Sequence, residues 1–224
     1  MSAIKAVVYD FGGVLLSYEQ VVKKWEEMSI ELGLAKEIVQ YETISTGFSE
    51  WLGPNRSLFL GTLTADEIEN GLFLDYLKQK YGDQIKNDNV NLRVYSSILR
   101  GDNVIYYPEM MKTVEMLREN GIKTAILTNN LYLDEAKQEE RVPIDHSLFD
   151  VIVESCVEGK MKPDPMFYKI CEDRLNVKPD EIVFLDDQSV NTDVADKLGW
   201  KTIVVKDIKE AVKQLEDITN IKLQ

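Results

Sequence analysis

Two hydrophobic rhythms alternate along this 224-residue chain. The first is a short, mostly apolar run, Ile4 to Tyr9, which ends at Asp10 and is followed by Phe11-Gly12-Gly13-Val14-Leu15. A β-branched run with no polar alternation predicts a strand buried on both faces. Gly12 and Gly13 then predict a tight turn, because they accept backbone geometries that larger residues resist. After Leu15 the apolar positions recur at helical spacing. Val21, Trp25, Met28 and Leu32 lie four, three and four apart, and Gly33 stops the helix. The segment through Ile38, Val39 and Tyr41 is less regular, and Gly47 to Arg56, with Gly53-Pro54-Asn55, reads as loop. Thr64-Ala65-Asp66-Glu67 has the side chains of a capping box, followed by a stripe of Ile68, Leu72, Phe73, Tyr76 and Leu77. Val90 to Leu99, with Leu92, Tyr95, Ile98 and Leu99, predicts another helix. From Leu16 to about Ile105 the pattern is helical and contains no strand.

Beyond that point short apolar runs alternate with helical stretches, the grammar of βαβ units in a parallel sheet. Pro108 opens a helix carrying Met110, Val114 and Leu117, closed by Asn120-Gly121. Strands are predicted at Ile122 to Leu127, Val151 to Val153, Ile182 to Leu185 and Thr202 to Val205. Helices are predicted from Asp164 to Leu175 and at the C-terminal end. The first strand cannot bury both faces by itself, so it must join this later sheet. The expected architecture is an α/β core of residues 1–15 and 106–224, a Rossmann-like parallel sheet with helices on both faces. Residues 16–105 form an inserted, all-helical cap.

Composition narrows the function. Acidic residues outnumber basic ones 39 to 26, a formal charge of −13, which disfavours nucleic acid and anionic lipid as partners. Cys156 and Cys171 have neither metal-ligand spacing nor a disulfide pattern, as expected in a reducing compartment. No apolar run reaches membrane-spanning length, so the expectation is a cytoplasmic protein without membrane contact.

Three predicted strands end in polar residues: Asp10, Thr128-Asn129 and Asp186-Asp187. In a parallel sheet these ends share one side, where open α/β sheets bind ligands. A single aspartate after a strand is an ordinary turn former. Gathering Asp10, Asp186 and Asp187 raises at least one pKa unless a cation sits among them, and the oxygen-seeking Mg2+ suits such a set. Lys162, in Gly159-Lys160-Met161-Lys162-Pro163-Asp164-Pro165, can bring an ammonium to that cluster. The single histidine, His146, has no nucleophile elbow beside it and reads as a surface or loop residue. Trp25, Trp51 and Tyr41 read as cap core.

The blocks Asp10-Phe11-Gly12-Gly13-Val14-Leu15, Leu127-Thr128-Asn129-Asn130, Lys162-Pro163-Asp164-Pro165 and Phe184-Leu185-Asp186-Asp187 together resemble the haloacid dehalogenase superfamily of aspartate-nucleophile hydrolases. Thr128-Asn129-Asn130 and the run from Asp186 to Asn191 are most similar to the phosphatase domains of soluble epoxide hydrolases. The resemblance implies phosphoryl transfer from a small phosphorylated metabolite through an aspartyl-phosphate on Asp10, with Mg2+ as cofactor. It further implies that Thr128, the Asn129 backbone amide and Lys162 hold the phosphoryl group. Asp10, the Gly12 carbonyl and Asp187 would hold the metal. Asp186 would be a second-shell or direct partner, and Asn191 would either steady the Asp186 loop or cap a helix.

Gly12 departs from the family pattern, which places a second aspartate there to protonate the leaving oxygen. General acid–base assistance is typically worth ~10²–10⁴ in rate, so its loss predicts slow turnover of simple alkyl phosphates. Two rival readings follow. One is a 2-haloacid dehalogenase, disfavoured by the uncompensated charge of Asp186-Asp187. The other is a binding or regulatory module with little catalysis.

Overall fold

The computed structural model describes residues 3–17, 19–34, 41–53, 55, 57–87, 89, 93, 96, 104–139 and 141–223. Contacts divide the chain into two compact units, one of residues 1–17, 105–129 and 144–224 and one of residues 18–104 and 130–143.

In the first unit five strands form one parallel sheet in the order β3-β2-β1-β4-β5. They are β1 (Ala6–Tyr9), β2 (Lys123–Thr128), β3 (Val151–Glu154), β4 (Ile182–Asp186) and β5 (Lys201–Val204). The N-terminal run therefore becomes the central strand. All four of its residues are buried, as a strand between two helical layers must be. Burying a valine side chain as fully as Val7 or Val8 contributes roughly 1.5–3 kcal/mol.

Period-two alternation sends the two faces to different helices. Ala6, Val8, Ala125, Leu127, Ile182 and Phe184 pack in one cluster with Phe167, Tyr168, Cys171, Ala195 and Trp200. This face is covered by α7 (Pro165–Leu175) and α8 (Ser189–Lys197), which touch each other. Tyr9, of opposite parity, meets Thr113 of α5 (Pro108–Glu119) through a 2.9 Å hydroxyl–hydroxyl hydrogen bond. Burial pushes its phenol well above the usual tyrosine range. On this side α5 packs on β2 and against α9 (Ile208–Thr219). A single turn of helix, α6 (Ser155–Glu158), follows β3. The chemistry-rich run after Asp187 hid α8 from the periodicity, since Val190 and Val194 are its only large apolar residues before Leu198.

Among the described residues, the regular elements of the second unit are helices. It contains α1 (Glu19–Leu32), α2 (Tyr41–Leu52), α3 (Ala65–Glu67) and α4 (Phe73–Tyr81), the last two joined by a π-turn at Ile68–Leu72. Met28 and Leu32 are buried as the stripe predicted, and Gly33 ends α1 at φ 76°. The side chains of Val21, Trp25 and Tyr41 lie outside what is described, as do Ile38, Val39, Leu92, Tyr95, Ile98 and Leu99 of the other predicted segments. The capping box forms: the Glu67 amide donates to the Thr64 hydroxyl at 3.2 Å, and the Thr64 amide to the Glu67 carboxylate at 2.8 Å. Ile68, Phe73, Tyr76 and Leu77 are buried, and Leu72 is half-buried.

The expected loop beginning at Gly47 is corrected by α2, which runs on to Leu52. Gly47 is a contact glycine rather than a breaker, because a Cβ there would lie 2.4 Å from the Tyr76 hydroxyl. Tyr76 belongs to an aromatic cluster with Phe48, Trp51 and Phe73. Residues 130–143, which leave β2, group with this helical unit. Their Tyr132 and Leu133 carbonyls accept the Ala65 and Asp66 amides at 2.8 and 3.0 Å.

Candidate active site

Strand register carries the first two acids together. Tyr9 pairs with Leu185, so Asp10 and Asp186 follow side by side, and the Asp10 amide donates to the Leu185 carbonyl at 2.8 Å. Both continue the parity of Val8 and Phe184, toward the α7/α8 face. Lys162 approaches from that face. Its Nζ lies 2.8 Å from Asp10 Oδ1 and 2.7 Å from Asp186 Oδ2, and the side chain is only 1% exposed. The ammonium also stands 5.6 Å from the centre of the Phe184 ring.

Each partner is held in turn. Asp186 is fully buried and accepts from the Gln188 amide at 2.8 Å and from Asn191 Nδ2 at 3.0 and 3.1 Å. Asn191 thus steadies the loop. The alternative helix-capping role is overturned, because Gln188 is the N-cap of α8 and the Asn191 amide is committed to Asp186. Tyr168, buried between Phe184 and Trp200, donates its hydroxyl to the Asn191 carbonyl at 2.9 Å. Tyr168 falls within the helix predicted from Asp164 to Leu175, and nothing in its local sequence marks this link to Asp186.

Thr128 is buried at the end of β2, opposite Glu154 of β3. Asn129, the next residue, places its side chain on the backbone of Lys162. Its Nδ2 donates to the Lys162 carbonyl at 3.1 Å, and its Oδ1 accepts the Lys162 amide at 2.8 Å. The predicted phosphate-binding loop and the predicted lysine loop are therefore clamped together. Gly12 lies in the turn after β1, where Gly13, at φ 75°, donates to the Leu16 carbonyl at 2.7 Å. His146 is exposed in a 3-10 turn of residues His146–Leu148.

The electrostatics explain what the cluster lacks. Asp10, Asp186 and Asp187 each bring a carboxylate oxygen within 4.8 Å of the others. Three carboxylates against the buried Lys162 ammonium leave negative charge uncompensated. Burial pushes the Asp10 carboxyl up to about 7 against the pull of Lys162, with repulsion from Asp186 and Asp187 adding to the rise. Burial and then Asp186 raise Asp187 as well. Asp187 Oδ1 is buried and has no hydrogen-bond partner. A buried oxygen left in that state costs about 1–3 kcal/mol or more, so the site has a place for a donor or a cation. The all-oxygen donor set fits a hard divalent ion. Asp186, with both oxygens engaged, is better suited to holding Lys162 than to holding a metal.

A parallel sheet with a buried acidic cluster and a lysine at the carboxyl ends of its strands defines a hydrolase-type centre. The family model for haloacid dehalogenase-like hydrolase matches residues 4–199, and the chain belongs to that family. It is 34% identical over 221 residues to mouse acyl-CoA dehydrogenase family member 10, covering 98% of this chain and 19% of that protein. It is 30% identical over 225 residues to bifunctional epoxide hydrolase 2 of Sus scrofa, covering 99% of this chain and 40% of that protein. The chain thus spans less than half the length of these relatives. Among solved structures, a HAD-like family hydrolase from Porphyromonas gingivalis superposes with a TM-score of 0.61 at 20% identity, over 96% of this chain and 98% of that one. No helix among the described residues is long and apolar enough to cross a membrane.

Proposed function

We propose that the chain is a Mg2+-dependent phosphatase that hydrolyses a small phosphorylated metabolite, similar in function to the phosphatase portion of the epoxide hydrolases. One observation carries this reading: an acidic cluster that shares one buried lysine and keeps a buried, unpartnered oxygen on Asp187. A metal-free dehalogenase site has no use for that surplus of negative charge.

Asp10 is the nucleophile. The Phe11 amide, at 2.7 Å, and Lys162 both hold Oδ1, which leaves Oδ2 to attack phosphorus. As the Oδ2–P bond forms, the bond from phosphorus to the leaving oxygen breaks, and that oxygen takes the electron pair and then a proton. Water hydrolyses the aspartyl-phosphate, releasing inorganic phosphate and restoring the carboxylate. Lys162 neutralises the phosphoryl oxygens, while the Thr128 hydroxyl and Asn129 amide bind them. Asp10, Asp187 and the Gly12 carbonyl would hold Mg2+, which when bound would supply charge neutralisation at the phosphoryl group. Asp186 fixes Lys162 between the two loops. The helical insertion after β1 is the cap of this fold.

The test is Asp10→Asn, assayed with Mg2+ on a panel of phosphorylated metabolites. Phosphate release falls to background in the variant, and a variant as fast as the parent overturns the assignment. Gly12 favours a second reading, a module that binds Mg2+ and hydrolyses little. Negligible turnover by the parent across the panel, with Mg2+ binding retained, supports that alternative. Halide release from 2-haloacids without Mg2+ would support a dehalogenase instead.

A further inference from the structure

Lys206, two residues beyond β5, has no role in the site as described so far. The β4–β5 ladder ends with the Val205 amide donating to the Asp186 carbonyl at 2.9 Å. One residue later the Lys206 ammonium donates to the backbone carbonyl of Asp187 at 2.6 Å. Asp187 is thereby bracketed. Asp186 before it is locked by Lys162, Asn191 and the Gln188 amide, and the Gln188 amide bond closes the turn after it. The Asp187 carbonyl and the Gln188 amide are opposite edges of one planar peptide, which Lys206 and the Asp186 carboxylate therefore hold from two sides. Loosening either hold would let the adjoining Asp187 Cα shift and carry with it the carboxylate, whose Oδ1 is buried and unpartnered.

We propose that Lys206 is a positioning residue for the Asp187 carboxylate, which would bind the metal, keeping its peptide in place so that the carboxylate stays beside that of Asp10. This rests on the metal-dependent reading above. Lys206 acts on Mg2+ in two opposite ways, and their signs separate the roles. As a clamp it strengthens binding by keeping a ligand in place. As a charge it weakens binding, because a nearby ammonium repels a divalent cation. If the clamp dominates, removing Lys206 loosens Mg2+. If only the charge matters, removing it tightens Mg2+.

The experiment is calorimetric titration of MgCl2 into the parent protein and into the Lys206→Met, Lys206→Ala and Lys206→Arg variants. Partners that orient a metal ligand typically contribute 10–100-fold in affinity, and this exposed clamp is expected at the lower end, about tenfold weaker binding in the Met and Ala variants. Lys206→Arg keeps a charged donor and is expected to bind within about twofold of the parent. Because Lys206 is exposed, its truncation leaves the core packing intact. Met and Ala variants that bind Mg2+ as tightly as the parent, or more tightly, overturn this inference alone. A parent that binds no Mg2+ overturns the metal-dependent reading together with it.

Discussion

Replacing Lys162 with methionine keeps most of the side chain's length and removes its charge. The ammonium lies 2.8 Å from Asp10 and 2.7 Å from Asp186, and both carboxylates are buried. Removing one partner of a buried ion pair costs about 3–5 kcal/mol, because the other charge stays in place without compensation. Asp186 keeps the Gln188 and Asn191 donors, so most of the loss falls on Asp10. The loss also depends on pH. Lys162 is the strongest influence holding the Asp10 carboxyl down, so the variant's carboxyl titrates higher still. A carboxyl that titrates higher folded than unfolded binds protons that the unfolded chain releases. Stability therefore falls as pH rises through that interval, and the deficit disappears once both states are protonated. Urea denaturation in EDTA, at mildly acidic and mildly alkaline pH, measures both effects. The Lys162→Met deficit is expected to be larger on the alkaline side. An alkaline loss below about 1 kcal/mol, the size of a solvent-exposed pair, would refute the reasoning, as would a larger loss in acid.

Gly12→Asp restores a proton carrier at the position where the family usually has one. It is expected to raise the rate on an alkyl phosphate, within the ~10²–10⁴ range of general acid catalysis, more than on an activated aryl phosphate. Equal or reduced rates on both count against the explanation. Gly47→Ala sets a helix-propensity gain of about 1 kcal/mol against an overpacking cost of about 1–3 kcal/mol from the Tyr76 hydroxyl. A net loss in urea denaturation is expected, turning neutral or stabilising in a Tyr76→Phe background, and the same loss in both backgrounds would show the hydroxyl to be irrelevant. Burial pushes the Cys171 thiol up to about 12. Iodoacetamide at mildly alkaline pH should leave it unmodified in the native protein and alkylate it in urea, as peptide mass spectrometry can show.

Local pattern carried much of this protein. The Ile4–Tyr9 run predicts a doubly buried strand without reference to the rest of the chain, and the Thr64–Glu67 box forms between neighbours in sequence. The four motif blocks place Asp10, Asp186 and Asp187 on one side of a parallel sheet because every strand points the same way. What sequence could not supply is any relation that depends on which side chain fills a space. Gly47 looks like a breaker until the Tyr76 hydroxyl is seen where its Cβ would be. Asn191 offers two uses, and only the position of the Asp186 carboxylate selects one. The Asn129 clamp on Lys162 and the Lys206 bond to Asp187 join residues 33 and 19 positions apart. Hydrophobic period and motif spacing report which face of an element is buried and where a strand ends. Which polar atoms satisfy one another is decided by packing across loops, after the sheet has brought them together.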